Sequence, residues 1–463
     1  MMAELYDVII VGGGLGGLIA AHLLQKERSD IKIQVLEASD RVCSSLKTVE
    51  LEAANGKDNF DIGVSRVGSA QPLMQSLIKE FGLETYPHFD KGSKHWQLPD
   101  GKIKKYSGSI PPLGYTSLVD LLRYFRKMDK LAEKVNFKDI TATENCSEWE
   151  DTTMEQFIPK FLYLQGAKDM ASTMIGTFCG MSPNQLSVLQ YMCMIRSCGS
   201  WEKHIGGEGT GRMDLKFKGG CQQLGERLYE KVGSDRVTMG DAVTRIEQTA
   251  DKTKATVKTK SGRTLEAKVI IMAIPSRDIC KMEFSPSLEV PRELPSWDYG
   301  VHFIVTYKKN FWRNQKMAGE FLSMAGTLGG FKDEKEFPLI AFFDHTSANG
   351  NPALMGLFSA PCFAKMTSDE RKTIALNTLA NVLGDEARDI IEYRDESWNR
   401  QAAGEEPIKM RAGLKASEVM ASLRRPHGCI HFAGEETGTV WLGMMESTAE
   451  ASTRVVKEVM AVL

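Results

Sequence analysis

Tyr-Asp-Val-Ile-Ile-Val-Gly-Gly-Gly-Leu-Gly-Gly, residues 6–17, decides the fold of this chain. An apolar strand runs directly into Gly12, Gly14 and Gly17, which have the spacing G-x-G-x-x-G, and an apolar helix begins next. A second strand then ends in an acid, Glu37, 20 residues after the last of these glycines. In such a βαβ unit the glycines allow a tight turn and a close approach to a pyrophosphate, whose charge the helix N-terminus attracts, while the acid binds a ribose. The sequence therefore predicts a dinucleotide site.

Size and composition are those of an ordinary globular protein. The 463 residues are enough for two or three domains and a large core, and 42% are hydrophobic. Lys and Arg (58) nearly balance Asp and Glu (60), so we expect neither nucleic acid nor an anionic membrane as a partner. We also expect no membrane anchor, because no apolar run approaches the roughly 20 residues that span a bilayer. The first strand begins too early to leave room for a signal peptide.

The cysteines carry little functional signal. There are nine, an odd number, and no close pair has the spacing of zinc ligands. Cys193 and Cys198 are too isolated to form a site. This usage is typical of reduced thiols in a cytoplasmic protein and predicts no metal site.

The hydrophobic pattern divides the chain into alternating pieces of two domains. Residues 69–204 have mostly helical spacing, whereas residues 236–275 contain short β-prone runs between turns. We predict an α/β fold in which a Rossmann-type domain carries an inserted mixed α+β substrate-binding domain with a helical subdomain. The first domain would comprise residues 1–68, 205–285 and 400–463, and the second residues 69–204 and 286–399. Predicted elements beyond the first unit are the helices Pro72–Phe81, Leu118–Val135, Ser368–Leu383 and Met444–Met460, and the strands Arg236–Met239, Ala242–Gln248, Lys254–Thr259, Arg263–Glu266, Val269–Ala273, Val301–Tyr307, Leu339–Phe343, Leu354–Phe358 and Cys429–Ala433.

A series of short motifs along almost the whole chain resembles the FAD-dependent amine oxidases. This group includes monoamine oxidases, polyamine oxidases and L-amino-acid oxidases. The motifs that carry the resemblance are, in order, Val35-Leu36-Glu37-Ala38-Ser39-Asp40-Arg41, Phe60-Asp61-Ile62-Gly63, Lys218-Gly219-Gly220, Ala273-Ile274-Pro275, Asn310-Phe311-Trp312, Trp398 and Phe432-Ala433-Gly434-Glu435.

The resemblance implies FAD as the cofactor and assigns residues to it. The ADP half would be held by the three glycines of the first turn, with Glu37 and Arg41. The backbone of Val243 would contact the adenine, and Glu435 would bind the ribityl-phosphate region. Met445 would present a backbone N–H to the flavin pyrimidine from a helix N-terminus, whose dipole stabilises negative charge on the reduced flavin. Further cofactor-binding candidates are Ala38, Ser45 and Ser65.

Several positions depart from the family pattern. Ser45 stands where the family has an arginine that reaches the flavin phosphates, which removes a charge-assisted contact of ~1.5–3 kcal/mol. His302 occupies the place of a lysine that holds a water near flavin N5; histidine could hold the same water, or could be a packed strand residue. Met444 replaces one aromatic of the pair that flanks the flavin. The segment Gly404-Glu405-Glu406-Pro407 lacks the linking cysteine, so we expect non-covalent FAD.

Arg66 points to a carboxylate-bearing substrate. L-amino-acid oxidases carry an arginine at this position, and a planar guanidinium can hold a carboxylate through two hydrogen bonds. Phe343 would line the pocket near the place of a carboxylate-binding tyrosine, together with Met444. The alternative for Arg66 is a surface arginine, or a phosphate-binding one that replaces the arginine lost at Ser45.

Four functions remain open on these residues. The first is oxidative deamination of an L-amino acid or related carboxylated amine, with O₂ as acceptor and Arg66 and His302 as catalytic candidates. The second is oxidation of a primary amine or polyamine, with a structural role for Arg66. The third is a flavin-dependent desaturase or isomerase, and the fourth a non-catalytic flavin-binding scaffold. The sequence does not indicate the oligomeric state.

Overall fold

A computed structural model of the chain describes residues 5–98, 101–108, 113–179, 182–206, 209–288, 300–323, 339–358, 362–398 and 416–463. The strands are β1 Leu5–Val11, β2 Ile33–Leu36, β3 Thr48–Leu51, β4 Asp58–Asp61, β5 Arg66–Val67, β6 Thr85–Pro87, β7 Ser93–Gln97, β8 Ile103–Tyr106, β9 Leu215–Phe217, β10 Val237–Thr238, β11 Val243–Gln248, β12 Ala255–Thr259, β13 Thr264–Met272, β14 Glu283–Ser285, β15 Val301–Tyr307, β16 Met317–Ser323, β17 Leu339–Asp344, β18 Ala353–Phe358, β19 Ile390–Ser397 and β20 Ile430–Phe432. The helices are α1 Leu15–Glu27, α2 Pro72–Glu80, α3 Tyr115–Ala132, α4 Cys146–Asp151, α5 Met154–Phe157, α6 Gln165–Cys179, α7 Val188–Cys198, α8 Trp201–His204, α9 Gln222–Val232, α10 Ser276–Ile279, α11 Phe311–Asn314, α12 Ser368–Leu383, α13 Ala416–Leu423 and α14 Met445–Met460.

The first sheet is the Rossmann-type sheet, with the order β10-β2-β1-β13-β12-β11-β14 and β20 beside β13. Strands β10, β2, β1, β13 and β20 are parallel, whereas β11–β13 form an antiparallel meander. The side chains of β1 are buried on both faces, which explains its unbroken apolar run. Helices α1, α9 and α14 pack together on one face of this sheet. The predicted fold class is confirmed.

The second sheet has the order β19-β15-β18-β17-β16-β7-β8. One of its faces packs against α12, and the other faces the helices α3–α8, which share a hydrophobic core of their own. Every side chain of β15 is buried, as its sequence Val-His-Phe-Ile-Val-Thr-Tyr suggests. This sheet supplies one wall of the site described below.

Two parts of the secondary-structure prediction were wrong. Residues 85–106, predicted within a mostly helical stretch, form β6, β7 and β8. These strands are short and mostly polar, and the pairing of β7 with β16 and of β6 with β9, rather than an apolar repeat, holds them in the sheets. The runs Arg263–Glu266 and Val269–Ala273 form one strand, β13, because Ala267 and Lys268 continue the ladder with β12 and β1 instead of a turn.

In the part of the chain that the structure describes, no helix is long and apolar enough to cross a membrane. The predicted helices Ser368–Leu383 and Met444–Met460 form with at most one residue of difference, as α12 and α14.

Candidate active site

The glycine turn after β1 has the conformation and the close contacts that only glycine allows. Gly12 has φ +107°, and a Cβ there would lie 2.6 Å from the carbonyl oxygen of Ala273. A Cβ at Gly17 would lie 1.9 Å from the carbonyl oxygen of Gly12. The turn therefore brings the N-terminus of α1 directly onto the carboxyl end of β1.

The start of α1 is an open anion site. Gly14 is its N-cap, with no side-chain cap and no acidic residue in the first turn. A Cβ at Gly14 would meet no atom within 4 Å, so the space beside the free helix N–H groups is empty of protein. A diphosphate fits this cradle because unpaired N–H donors and the helix dipole both attract negative charge.

The acid at the end of β2 lies against this turn. Glu37 Oε2 accepts a hydrogen bond of 2.6 Å from the Gly13 N–H, and Oε1 accepts bonds from the backbone N–H and hydroxyl of Ser39 at 2.8 and 2.7 Å. The Asp241 N–H donates to the Glu37 carbonyl, which brings the start of β11, and with it Val243, to the same edge of the sheet as Ala38. The structure therefore collects most of the residues expected at the ADP half.

Arg41 and Ser45 occupy the loop that follows. The Arg41 guanidinium donates to the carbonyls of Ser44 and Leu46 and to Gln222 Oε1 at 3.2, 2.8 and 3.2 Å, so it ties this loop to α9. Ser45 is exposed, and its carbonyl accepts a hydrogen bond from the Val64 N–H at 3.1 Å. This contact sets Ser45 beside the segment that carries the half-buried Ser65.

A second helix N-terminus lies at the other end of the candidate cofactor site. Met444, half-buried, is the N-cap of α14, and no side chain caps this helix either. Glu435 Oε1 accepts a 2.6 Å hydrogen bond from the Gly443 N–H in the loop before it. Glu435 lies deep in the molecule yet part of it borders accessible space, and burial raises its pKa to about 7. The Ser452 hydroxyl donates to the Gly16 carbonyl at 2.9 Å, which joins α14 to α1.

His302 and Phe343 share one face of the second sheet. His302 pairs with Leu357 across β15 and β18, and Leu357 pairs with Ala341, two residues before Phe343 on β17. Because side chains alternate along strands, these four side chains, those of His302, Leu357, Ala341 and Phe343, all point toward the helices α3–α8. The Nδ1–H of His302 donates to the carbonyl of Ile62 at 2.9 Å, and the indole N–H of Trp398 donates to the same oxygen at 3.2 Å.

Arg66 lies over this face. Its guanidinium carbon is 4.4 Å from the ring centroid of Phe343, within the range of a cation–π contact. No hydrogen bond or ion pair of its guanidinium is found among the residues that the structure describes. Burial lowers the pKa of Arg66 to about 10, so it stays charged at neutral pH. The carboxylate of Asp344 accepts hydrogen bonds from the Arg313 guanidinium and from the Trp312 indole N–H instead of from Arg66.

A buried lysine behind Arg66 was not predicted from the sequence. Lys216 pairs with Arg66 across β5 and β9, and its Nζ donates to the Thr346 carbonyl at 3.1 Å. Burial lowers the pKa of Lys216 to about 7, and burial also raises the pKa of nearby Asp61 to about 6. The only sequence signal was its place in an alternating run, Leu215–Phe217, where an outward lysine is the common outcome.

Comparisons with known proteins agree with this geometry. The family model of flavin-containing amine oxidoreductases matches residues 15–460. The canine amine oxidase [flavin-containing] A is 30% identical over 473 residues, which cover 99% of this chain and 86% of that protein. The human amine oxidase [flavin-containing] B is also 30% identical, over 99% of this chain and 87% of its own length.

Solved structures show the same fold. A cofactor-binding triple mutant of putrescine oxidase superposes with a TM-score of 0.85 at 23% identity, covering 99% of both chains. Cyclohexylamine oxidase from Brevibacterium oxydans superposes with a TM-score of 0.84 at 22% identity, covering 98% of this chain and 99% of that one. Together with the matched family model, these findings show that the chain is an FAD-dependent oxidoreductase and belongs to the flavin-containing amine oxidoreductase family.

Proposed function

We propose that this enzyme oxidatively deaminates a primary amine that carries a carboxylate next to the amine-bearing carbon, as an L-amino acid does. The observation that carries the proposal is the charged, half-buried guanidinium of Arg66, which forms no ion pair with a described residue, although Glu320 and Asp344 lie near enough to raise its pKa. FAD, when bound, would supply the two-electron oxidant for the substrate C–H bond, with O₂ as the final electron acceptor. The net products are a keto acid, ammonia and H₂O₂, with one water consumed.

Arg66 would bind and orient the carboxylate. An unpaired buried cation is costly, and a carboxylate held through two N–H···O bonds removes that cost and fixes the substrate in one orientation. The ring of Phe343 would help to hold the guanidinium in place through their cation–π contact. Fixing the substrate carbon in this way supplies much of what a hydride transfer requires.

The cofactor would be held without a covalent link by the two uncapped helices. Gly14 and the first turn of α1 would hold the diphosphate, and Glu37 the ribose, with Ala38 and Val243 near the adenine. Met445, at the start of α14, would face the flavin pyrimidine, and Glu435 the ribityl chain. We propose that residues 1–68, 205–285 and 400–463 form the FAD-binding domain and that the other segments form the substrate-binding domain.

His302 would hold a water molecule close to the reacting carbon. The Nδ1–H of His302 donates to the Ile62 carbonyl, and this hydrogen bond fixes the orientation of the ring. Nε2 then lies on the edge of the imidazole that faces away from Ile62. The Ile62 carbonyl also accepts a hydrogen bond from the Trp398 indole N–H. His302 and Trp398 therefore both hold the backbone in place four residues before Arg66.

A second candidate is oxidation of a simple primary amine or a diamine. The names of the relatives favour it: amine oxidases A and B in sequence, and putrescine and cyclohexylamine oxidases in fold. In that case Arg66 would keep its charge beside a substrate that cannot pair with it, at a cost in desolvation.

A matched substrate pair and a charge-removing variant test the proposal. The variant Arg66→Met keeps an unbranched side chain that can still pack beside Phe343 but removes the guanidinium and its charge. We expect kcat/KM for an L-amino acid to fall about tenfold to a hundredfold, as loss of a charge-assisted pair predicts, while kcat/KM for the decarboxylated amine of the same side chain does not fall.

Arg227→Met is the matched control, because Arg227 is an exposed arginine on α9 paired only with Glu230. It should leave both substrates unaffected. An equal loss on both substrates in Arg66→Met, or no loss on the amino acid, would refute the role of Arg66 and favour the simple-amine reading.

A further inference from the structure

A second buried arginine, Arg212, forms no ion pair with any residue that the structure describes. Its side chain is 3% exposed, and Nε and Nη1 are buried without a hydrogen-bond partner. Gly206 and the ring of Phe178 pack against it, the ring centroid 5.7 Å from the guanidinium carbon. A guanidinium in such a place normally pairs with an acid, because an isolated buried charge is expensive.

Three described polar side chains near Arg212 are neutral at pH 7. His204 lies between two thiols, with Nε2 3.6 Å from Cys179 Sγ and Nδ1 4.0 Å from Cys198 Sγ. Burial lowers the pKa of His204 well below its usual value, and burial raises the pKa of Cys179 to about 12 and that of Cys198 as well. No group of three His, Cys, Asp or Glu side chains arranged for a metal ion occurs in the described ranges. Within the described part of the chain, no acidic side chain therefore pairs with the positive charge of Arg212.

The chain segment that carries Arg212 adjoins the strand that carries Arg66. Strands β5 and β9 are paired, and Gly68, two residues after Arg66, packs so closely on Arg212 that a Cβ there would lie 2.5 Å from the Arg212 carbonyl oxygen. Gln71 Nε2 donates to that same oxygen at 2.9 Å. The aromatic partners of the two arginines, Phe343 and Phe178, are both half-buried and pack against the same hydrophobic core.

We propose that Arg212 binds a second acidic group of the substrate, so that the preferred substrates are amines with two carboxylates. The assignment rests on the proposed function, in which Arg66 holds the carboxylate beside the amine. Two guanidinium groups on neighbouring chain segments, each on its own aromatic ring and without an acidic partner in the described structure, would then bind the two ends of one molecule. A substrate with one carboxylate would leave the charge of Arg212 uncompensated.

Calorimetric titration of the FAD-bound enzyme with two unreactive acids of equal carbon number tests this. Glutarate carries two carboxylates and pentanoate one. We expect glutarate to bind at least tenfold tighter to the unmodified enzyme, and this ratio to fall to about one in Arg212→Met and in Arg212→Gln, because the second charge-assisted pair is lost. Arg212→Lys should keep part of the ratio.

Arg424→Met is the matched control. Arg424 also has a buried nitrogen without a partner, Nη1, and it borders a separate cavity of about 170 Å³ with Phe137 and Met420. Its replacement should leave the ratio unchanged. A ratio near one in the unmodified enzyme, or a ratio that persists in both neutral Arg212 variants, would overturn the assignment.

Arg66→Met reports on the proposed function separately, since it should weaken the binding of both acids. If it weakens neither, the proposed function fails, whereas the assignment of Arg212 depends on the glutarate-to-pentanoate ratio alone. The melting temperature of the FAD-free protein adds a readout: Arg212→Met should raise it, because an unpaired buried charge is replaced by an apolar side chain.

Discussion

Gly14→Asp should strengthen the fold and abolish cofactor binding at the same time. Gly14 has φ −69° and ψ 179°, the extended conformation that N-cap residues adopt, and a Cβ there meets nothing within 4 Å. An aspartate can therefore cap α1 without strain. Replacing an N-cap glycine by aspartate contributes a few tenths of a kcal/mol, and the helix dipole adds about 0.3–1 kcal/mol. The FAD-free protein should melt about one to two degrees higher.

The same carboxylate would occupy the cradle of the diphosphate. It would accept hydrogen bonds from the helix N–H groups that the diphosphate needs. The negative charge of the aspartate and that of the nearer phosphate would then lie about 4 Å apart. At an effective dielectric constant of about 20 this repulsion is about 4 kcal/mol, which corresponds to about a thousandfold weaker binding. The assay is titration of FAD into the FAD-free protein, followed by quenching of flavin fluorescence, together with thermal melting.

Gly114→Asp is the matched control. Gly114 is the N-cap of α3, with φ −56°, no side-chain cap and open space around a Cβ. It should give the same small gain in melting temperature with no change in FAD affinity. Unchanged FAD affinity in Gly14→Asp would refute the assignment of the α1 N-terminus to the diphosphate.

Two further predictions concern the cofactor site. Gly17→Ala should destabilise the FAD-free protein by about 1–3 kcal/mol, because its Cβ would overlap the Gly12 carbonyl at 1.9 Å; a melting temperature within a degree of the unmodified protein would contradict the close packing of α1 on the turn. Glu435 has a folded-state pKa of about 7 against an ordinary value of 4.5, so its protonated form stabilises the FAD-free protein at low pH, and this stability is lost as the pH rises from 4.5 to 7. The loss is up to about 3 kcal/mol, and Glu435→Gln should remove it; parallel melting curves against pH for the two proteins would show that Glu435 is not a buried acid.

The nucleotide-binding half of the molecule could be predicted from the sequence because its signal is local. The turn at Gly12 to Gly17, the buried strand before it and the acid at Glu37 lie within one βαβ unit, and the conformation of each residue depends on near neighbours. The signal for α14 is also local, and the helix begins at Met445, one residue after its predicted start at Met444.

The substrate side could be predicted only by resemblance, because long-range pairing creates it. Arg66 meets Phe343 through contacts between segments 277 residues apart in the chain, and His302 shares their wall because β15, β18 and β17 are paired in one register. Arg212 gave no signal, since an arginine that follows a glycine-rich stretch is usually exposed, and only the tertiary packing buries it beside His204. The segment Gly404-Glu405-Glu406-Pro407, on which the expectation of non-covalent FAD depends, lies outside the described residues.

Rapid anaerobic mixing of the FAD-bound enzyme with an L-amino acid, and separately with the amine that decarboxylation of that amino acid yields, tests the central claim most directly. The two compounds differ only in the carboxylate that Arg66 would bind. We expect the amino acid to bleach the oxidised-flavin absorption at least tenfold faster than the amine at equal concentration, and an amino acid with two carboxylates to bleach it fastest. Equal bleaching by both compounds, or bleaching by the amine alone, would contradict it.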